Sequence, residues 1–367
     1  MATTTVEVPG EMLAAQLVEF KSPPVVQKTK TPAAGDLGPF DLLLRTAVAS
    51  LCHTDLMVQA GFAMPPKHGL PMTLSHEGTG VVVAAGSSVQ DFKPGDRVMS
   101  GITFHSCGHC ENCLAPVEKD WKQYCFDIDG AAGVMTDGAF AEYHVVDSRM
   151  SCKIPDGVSF LTAAPLACAG VTVYRALKVS GIGKDGWVAI VGAGGGLGHF
   201  GVQFAKAAGM NVIAVEARDE GLEIAKKYGA DHVLDARDGK DAVVASVRAL
   251  TGGQGGVDAT VNVSDHSSTA ALSAAITRTH GTVVQAAQPP EVTVPFMEIV
   301  LRDITIKGTM HGGKELADEM LRTVAEHGIV AETQVFHGLD DVPKMFELLE
   351  AGKIKGKAVC VVDKELV

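Results

Sequence analysis

Between Trp187 and Glu216 the chain passes from an apolar run through a glycine loop and a helical repeat into a second apolar run that ends on an acid. Trp187-Val-Ala-Ile-Val191 reads as a buried strand, and Gly192-Ala-Gly-Gly-Gly-Leu-Gly198 follows at once. Leu197, Gly201, Phe204, Ala205 and Ala208 then recur at helical spacing, so the loop opens a helix whose inner face is apolar or small. Such a loop presents backbone N–H groups and the positive end of the helix dipole to a pyrophosphate. The spacing G-x-G-x-x-G is met only at Gly196, Gly198 and Gly201, one step late, whereas Gly192, Gly195 and Gly198 occupy the expected turn. The next strand leads into Glu216, about twenty residues beyond the loop, where a carboxylate accepts from the ribose hydroxyl of NAD and repels the 2′-phosphate of NADP. Arg218, two residues on, weakens that exclusion by offering a charge to a phosphate. The order strand, loop, helix, strand, acid predicts NAD contacts at Gly192, Gly195, Gly196, Leu197, Gly198 and Glu216.

The alternation continues on either side of this unit. After Pro165, strand runs such as Val212-Ile-Ala-Val, His232-Val-Leu, Val257-Asp-Ala-Thr-Val and Thr282-Val-Val alternate with helical segments, which means βαβ units on a parallel sheet covered on both faces. From Phe40 to about Val146 short valine- and glycine-rich segments are broken by turns such as Lys93-Pro-Gly-Asp, the pattern of a barrel-like β domain. The last stretch carries a helical pattern and then Ala358-Val-Cys-Val-Val, a strand expected to return to the first domain. At 367 residues and 46% hydrophobic the chain is too long for one ordinary domain. The expected division is residues 1–168, 169–311 and 312–367, with the last returning to the first. A net charge of −12 disfavours nucleic acid and anionic membrane, since both need a basic face. No run of eighteen apolar residues occurs, and the start lacks a basic stretch followed by an apolar one, so a soluble, cytoplasmic protein without a membrane partner is expected.

The eight cysteines fall into two groups. Cys107, Cys110 and Cys113 are spaced C-x2-C-x2-C with Cys125 following, while Cys52 and Cys168 stand apart with His76 between them. Clustered cysteines in a reducing compartment point to metal rather than disulfides. Four thiolates make a closed structural zinc site, whereas two cysteines and a histidine leave a fourth position free for water or substrate. Two zinc ions per chain are therefore expected, with Cys152 and Cys360 left as small packed residues.

Cys52-His-Thr-Asp55, Ser75-His-Glu77 and Pro165-Leu-Ala-Cys-Ala-Gly-Val-Thr-Val-Tyr174 together resemble the zinc-dependent alcohol dehydrogenases of the medium-chain dehydrogenase/reductase superfamily, most closely their yeast-like, tetrameric branch. The resemblance runs from about Glu19 to the end. It implies an α/β architecture, with a GroES-like β-barrel catalytic domain and a Rossmann domain built on a doubly wound parallel sheet. It also implies hydride exchange between NAD(H) and a small alcohol or aldehyde, in a tetramer or dimer. By this resemblance Cys52, His76 and Cys168 hold a catalytic zinc, Glu77 is an alternative ligand, and Asp55 orients His76. Thr54 passes the alcohol proton onward, His53 faces the pyrophosphate and Thr172 the nicotinamide.

The chain departs from the family pattern at four places. The cysteine cluster resembles the structural zinc lobe, yet its last interval is C-x11-C rather than C-x7-C, with Trp121 where a ligand is expected. A slightly longer loop costs little closure entropy, and His109 or His105 substitutes if Cys125 points away. Met57 stands where many members carry a histidine that relays the proton to solvent, so the proton leaves by the ribose and water or by a group such as His68. Slower or more pH-dependent alcohol oxidation is the expected result. Ala63 or Met64, and Ile102, replace tryptophans that narrow the channel, which predicts a substrate bulkier than ethanol. Lys314 stands for a cofactor-contacting arginine and offers a point charge without the fork. A zinc-free quinone or enone reductase, or a non-catalytic protein retaining the fold, are the competing readings.

Overall fold

The structure, a computed structural model, describes residues 8–62, 64–253 and 255–367. Ala63, one of the positions expected to widen the pocket, lies outside the described residues. The chain divides into two compact units, the first made of Met1–Cys168, Gly312–Ala325 and Thr333–Val367 and the second of Ala169–His311 and Glu326–Glu332.

The first unit is organised around the strand Asp41–Ser50, which is buried almost throughout. Successive side chains of a strand point to opposite faces. Leu42 and Leu44 accordingly join Val82, Phe92, Val98 and Val146 on one side, while Leu43 joins Met12, Ala14, Ala141 and Tyr143 on the other. One long edge of this strand serves two partners: Tyr143–Asp147 pairs antiparallel along Asp41 to Arg45, and Lys357–Val361 along Val48 to Ser50. Its pairing with Glu77–Ala85 shifts register between Leu43 and Leu44 and again between Thr46 and Val48. Such bulges bend and twist a strand, which is how a sheet curls toward a barrel. Outward from this centre the sheet continues through Arg97–Met99 and Cys152–Lys153 on one side and Lys357–Val361 and Thr333–His337 on the other. Cys152 and Cys360 are fully buried thiols in this packing.

The second unit is a six-stranded parallel sheet in the order His232–Asp235, Asn211–Glu216, Trp187–Val191, Val257–Asn262, Thr277–Gln285 and Thr305–Gly308. This is a doubly wound order that starts at Trp187–Val191 and reverses direction between that strand and Val257–Asn262. Ligands bind at the carboxyl ends beside such a reversal. Ala189, Val191, Ile213 and Val215 pack on one face against Val243, Val247, Leu272 and Ile276. On the opposite face Gly201 of helix Gly198–Ala207 lies so close to Val173 of helix Val171–Ser180 that a Cβ there would stand 2.8 Å from it, so a larger residue would push the two helices apart.

One feature differs from the sequence expectation. The stretch from residue 312 does not belong wholly to the first unit, because Glu326–Glu332 groups with the second. Paired bonds hold it there: Gln203 Nε2 donates to Val330 O at 2.9 Å, Val330 N–H donates to Gln203 Oε1 at 3.2 Å, and Glu332 Oε2 accepts from Lys227 and Tyr228 at 2.5 and 2.7 Å. Among the described residues one helical stretch, Phe160–Ser180, has the length and apolar composition to cross a membrane, but 89% of that window is buried inside the protein, as in a core helix.

Candidate metal centres and nucleotide loop

Sγ of Cys52, a ring nitrogen of His76, a carboxylate oxygen of Glu77 and Sγ of Cys168 all lie within 4.8 Å of one another in the first unit. Three local structures bring them there. Cys52 caps the helix His53–Gln59. His76 immediately precedes the strand Glu77–Ala85, which Glu77 opens, and follows Ser75, whose φ of 73° lies in the left-handed region. Cys168 sits on a π-turn, Leu166–Gly170, immediately after Pro165. Proline lacks the N–H that would continue the α-helical ladder, and a widened turn is a common outcome at functional sites.

The carboxylate of Asp55 is wholly buried and joins two of these segments: Oδ2 accepts from Cys52 N–H at 2.9 Å and Oδ1 from Ser75 N–H at 3.0 Å. Ser75 Oγ donates to Ser50 O at 2.9 Å, and the backbone at Gly133 and Gly138 packs on Ser75 so closely that a Cβ on either would overlap it. The bond expected from Asp55 to His76 is not formed. Its Oδ1 stands 3.9 Å from Nδ1, beyond hydrogen-bond reach, so Asp55 acts on the backbone of the ligand-bearing segments instead.

Nδ1 of His76 is buried without a hydrogen-bond partner. The proton affinities are those of tightly coupled neighbours. The Cys52 thiol is held well below its ordinary value, chiefly by the hydrogen bond from Cys168, whose own thiol is pushed well above it by the same contact and by burial. Burial opposes the charged form of His76, yet Asp55 and Cys52 outweigh it and raise the imidazole to about 9. A cation would displace these protons. Two sulfurs and an imidazole fit zinc, with Glu77 as a further oxygen donor. Burial also raises Glu77, to about 7, against the pull of Lys357, whose Nζ lies 2.6 Å from Glu77 Oε2. Lys357 was not read from the sequence, because a lone lysine ahead of an apolar strand looks like an ordinary strand end.

Cys107, Cys110, Cys113 and Cys125 also place their sulfurs within 4.8 Å of one another. Cys125 lies 3.5 Å from Cys107 and 3.8 Å from Cys110, so it points into the cluster. The histidines offered as substitutes are engaged elsewhere: His109 bonds the carbonyl of Cys107, and His105 bridges Asp41 and Asp129 at 2.6 and 2.8 Å. The lengthened interval folds into two short 3-10 turns, Val117–Lys119 and Lys122–Tyr124. Asn112 Nδ2 donates to Tyr124 O, which ties the two ends of the loop, and Asp120 accepts from Gly313 N–H at 2.7 Å.

At the nucleotide loop Gly192 takes φ 87°, and a Cβ on Gly194 would collide with Gly221 and one on Gly198 with the Gly192 carbonyl. Gly195 is less crowded but still tight, a built Cβ standing 3.3 Å from Gly192 O and 3.8 Å from Arg218 Nη2. Glu216 closes the strand Asn211–Glu216 and is buried; Oε2 accepts from Gly194 N–H at 3.0 Å and Oε1 from Ala217 N–H at 2.8 Å. Gly194 was missed in the sequence, where the neighbouring glycines drew attention. A turn with positive φ, glycines at which no side chain fits without strain or displacement and a carboxylate at the strand end suit a dinucleotide.

Of the other expected residues, Thr54 is half-buried and His53 exposed on the first turn after Cys52, with Met57 half-buried on the same helix. Thr172 is buried in the helix Val171–Ser180 of the second unit. Met64 and His68 are exposed and Ile102 is buried. Lys314, expected at the cofactor, is turned into the first unit, where Nζ donates to Ser151 O at 2.6 Å and lies over the ring of Phe92.

Residues 38–156 match the alcohol dehydrogenase GroES-like domain family and residues 196–326 the zinc-binding dehydrogenase family. The chain is 38% identical over 356 residues to an alcohol dehydrogenase of Geobacillus stearothermophilus, covering 96% of this chain and 100% of that one. Among solved structures it is similar to an NAD-dependent alcohol dehydrogenase, with a TM-score of 0.86 and 29% identity over 96% of this chain and 100% of the other. It is likewise similar to a cobalt- and zinc-bound thermostable alcohol dehydrogenase from Pyrobaculum aerophilum, with a TM-score of 0.81 and 27% identity over 96% and 99%.

Proposed function

We infer the roles of individual residues from the premise that this chain belongs to the zinc-dependent alcohol dehydrogenase family of the medium-chain dehydrogenase/reductase superfamily. It is an oxidoreductase that interconverts an alcohol and its aldehyde or ketone, using zinc and NAD. The convergence of Cys52, His76, Glu77 and Cys168 carries the assignment of residues to the chemistry. Cys52, His76 and Cys168 hold the catalytic zinc, and Glu77 is the alternative ligand. Zinc held there polarises a carbonyl oxygen and lowers the pKa of a hydroxyl. Asp55 keeps the two ligand segments together by accepting from their backbones. Thr54, beside Cys52, takes the hydroxyl proton and hands it toward the cofactor ribose. Met57 has no ionisable group, so the proton reaches solvent through ribose and water, which favours carbonyl reduction at low pH. His53 meets the pyrophosphate, Thr172 the nicotinamide and Glu216 the ribose.

Residues 1–168 with 312–325 and 333–367 form the catalytic domain in this reading, and 169–311 with 326–332 bind NAD. The four sulfurs of Cys107, Cys110, Cys113 and Cys125 support a second, structural zinc. We place the chain near the yeast-like branch, in the cytoplasm, as a homo-oligomer joined through the second unit. The support for that surface is the outermost strand Thr305–Gly308 together with the exposed Phe296, Met297, Val300 and Leu301. Met64 and Ile102 in place of tryptophans support a substrate bulkier than ethanol. An alcohol and aldehyde panel with NAD(H) and NADP(H), run on protein of known zinc content, tests the whole. Turnover of benzylic or branched alcohols with NAD at rates comparable to ethanol is expected. Strict preference for ethanol removes the open pocket, and turnover that survives complete removal of zinc removes the ligand assignment.

A further inference from the structure

One imidazole ties the nucleotide loop to the Glu326–Glu332 segment. His199, the second residue of helix Gly198–Ala207, is wholly buried, with Nδ1 2.9 Å from Gly195 O and Nε2 3.1 Å from the backbone nitrogen of Glu332. A carbonyl only accepts and a backbone N–H only donates. Both bonds therefore require a proton on Nδ1 and none on Nε2, the neutral ring in a single tautomer. Gly195 O also accepts from His199 N–H at 3.2 Å, so two donors of one residue fix this carbonyl. In a planar trans peptide the N–H of Gly196 points opposite to that carbonyl. It is thus turned away from the helix, beside Gly195, the least crowded of Gly194, Gly195 and Gly198, where a built Cβ would meet Gly192 O at 3.3 Å. On the far side of the ring, Glu332 is itself anchored by Lys227 and Tyr228, and Gln203, one helical turn beyond His199, grips Val330.

We propose that His199 is a positioning residue for the dinucleotide: its side chain holds the Gly195–Gly196 peptide with the N–H turned outward for the pyrophosphate and braces that peptide against Glu332. The proposal rests on the reading of this loop as the NAD site.

Two substitutions separate the two bonds. His199→Asn keeps an amide N–H where Nδ1 stood and so retains the bond to Gly195. His199→Gln keeps an amide oxygen where Nε2 stood and so retains only the bond to Glu332. In fluorescence titrations of the zinc-loaded enzyme, the Kd for NADH is expected to stay within about threefold of wild type in H199N and to rise about tenfold in H199Q, the scale of one lost hydrogen bond at a buried polar group. The KM for NAD follows the Kd, while kcat at saturating NAD is unchanged. Equal weakening in both variants, or wild-type binding by H199Q, overturns the proposal. Nitrogen NMR of the wild-type ring before NADH is added supplies a readout that needs no variant to fold. A neutral ring protonated on Nδ1 is expected, and a proton on Nε2 at neutral pH overturns it. Wild-type protein that binds no NADH would remove the underlying reading of the loop rather than this role alone.

Discussion

Nζ of Lys357 lies 2.6 Å from Oε2 of Glu77, with the two side chains 5% and 0% exposed. Two opposite charges out of water stabilise little as a pair, but removing one leaves the other buried and uncompensated, at a cost of about 3–5 kcal/mol. Lys357→Met is therefore expected to lower the melting temperature of the zinc-loaded protein substantially. The double variant Lys357→Met with Glu77→Gln should recover part of that loss. Additive losses in the double-mutant cycle would show that the two charges act independently.

His144 links stability to pH. It is buried between Thr46 Oγ1 and Ser100 Oγ, each 2.8 Å from a ring nitrogen, and burial lowers its proton affinity to about 4 from an ordinary 6.5. A depressed histidine takes up its proton more readily when unfolded. Its contribution is thus complete above pH 6.5 and declines as pH falls toward 4, by about 3 kcal/mol in all. Thermal unfolding between pH 7.5 and 4.5 should show a smaller acid loss in His144→Gln than in wild type. Parallel pH profiles would refute the assignment.

The cysteine cluster predicts a difference between stability and chemistry. Cys125→Ser is expected to reduce bound zinc by about one per chain, since a closed four-sulfur site loses a ligand. Because Asp120 in the same loop is bonded to Gly313, the loss should be felt as earlier thermal unfolding. Turnover measured well below the melting temperature should persist. Unchanged zinc content in the variant would rule out Cys125 as a ligand.

Glu216 predicts cofactor preference. Glu216→Gln retains an oxygen for Gly194 N–H and removes the charge. The ratio of NADPH to NADH affinity should rise at least about tenfold, given Arg218, whose Nη2 stands 3.8 Å from a Cβ built on Gly195, with like-charge repulsion against the 2′-phosphate removed. An unchanged ratio would mean that the carboxylate does not discriminate.

The parallel sheet was legible because each of its central strands is a short run of apolar residues buried on both faces, as Val188 to Val191 and Val212 to Val215 show. The convergence of Cys52, His76 and Cys168 was legible only through resemblance, since no periodicity connects three segments so far apart. Details that depend on folded backbone were not legible. Asp55 faces two peptide N–H groups because Ser75 adopts a left-handed turn, and nothing in the residue letters announces that turn. Lys357 went unread and Lys314 was expected elsewhere for one physical reason. A long ammonium side chain reaches several directions from the same backbone position, and only packing decides among Glu77, Ser151 and a ligand. The placement of Glu326–Glu332 likewise depends on Gln203 and His199, distant residues whose side chains select it.

The strand Lys357–Val361 lies inside the sheet of the first unit, between Asp41–Ser50 and Thr333–His337, although the whole second unit is encoded between. On the ribosome, the first unit must wait with an open seam along Val48 to Ser50 while the nucleotide sheet is made and folds. The charge partner of Glu77 arrives with that last strand. Synthesis thus imposes an order in which the parallel sheet can mature first and the cluster of Cys52, His76, Glu77 and Cys168 acquires the ammonium of Lys357 last. A chain that stops before residue 357 would therefore lack both the strand partner of Val48 to Ser50 and the ammonium beside Glu77.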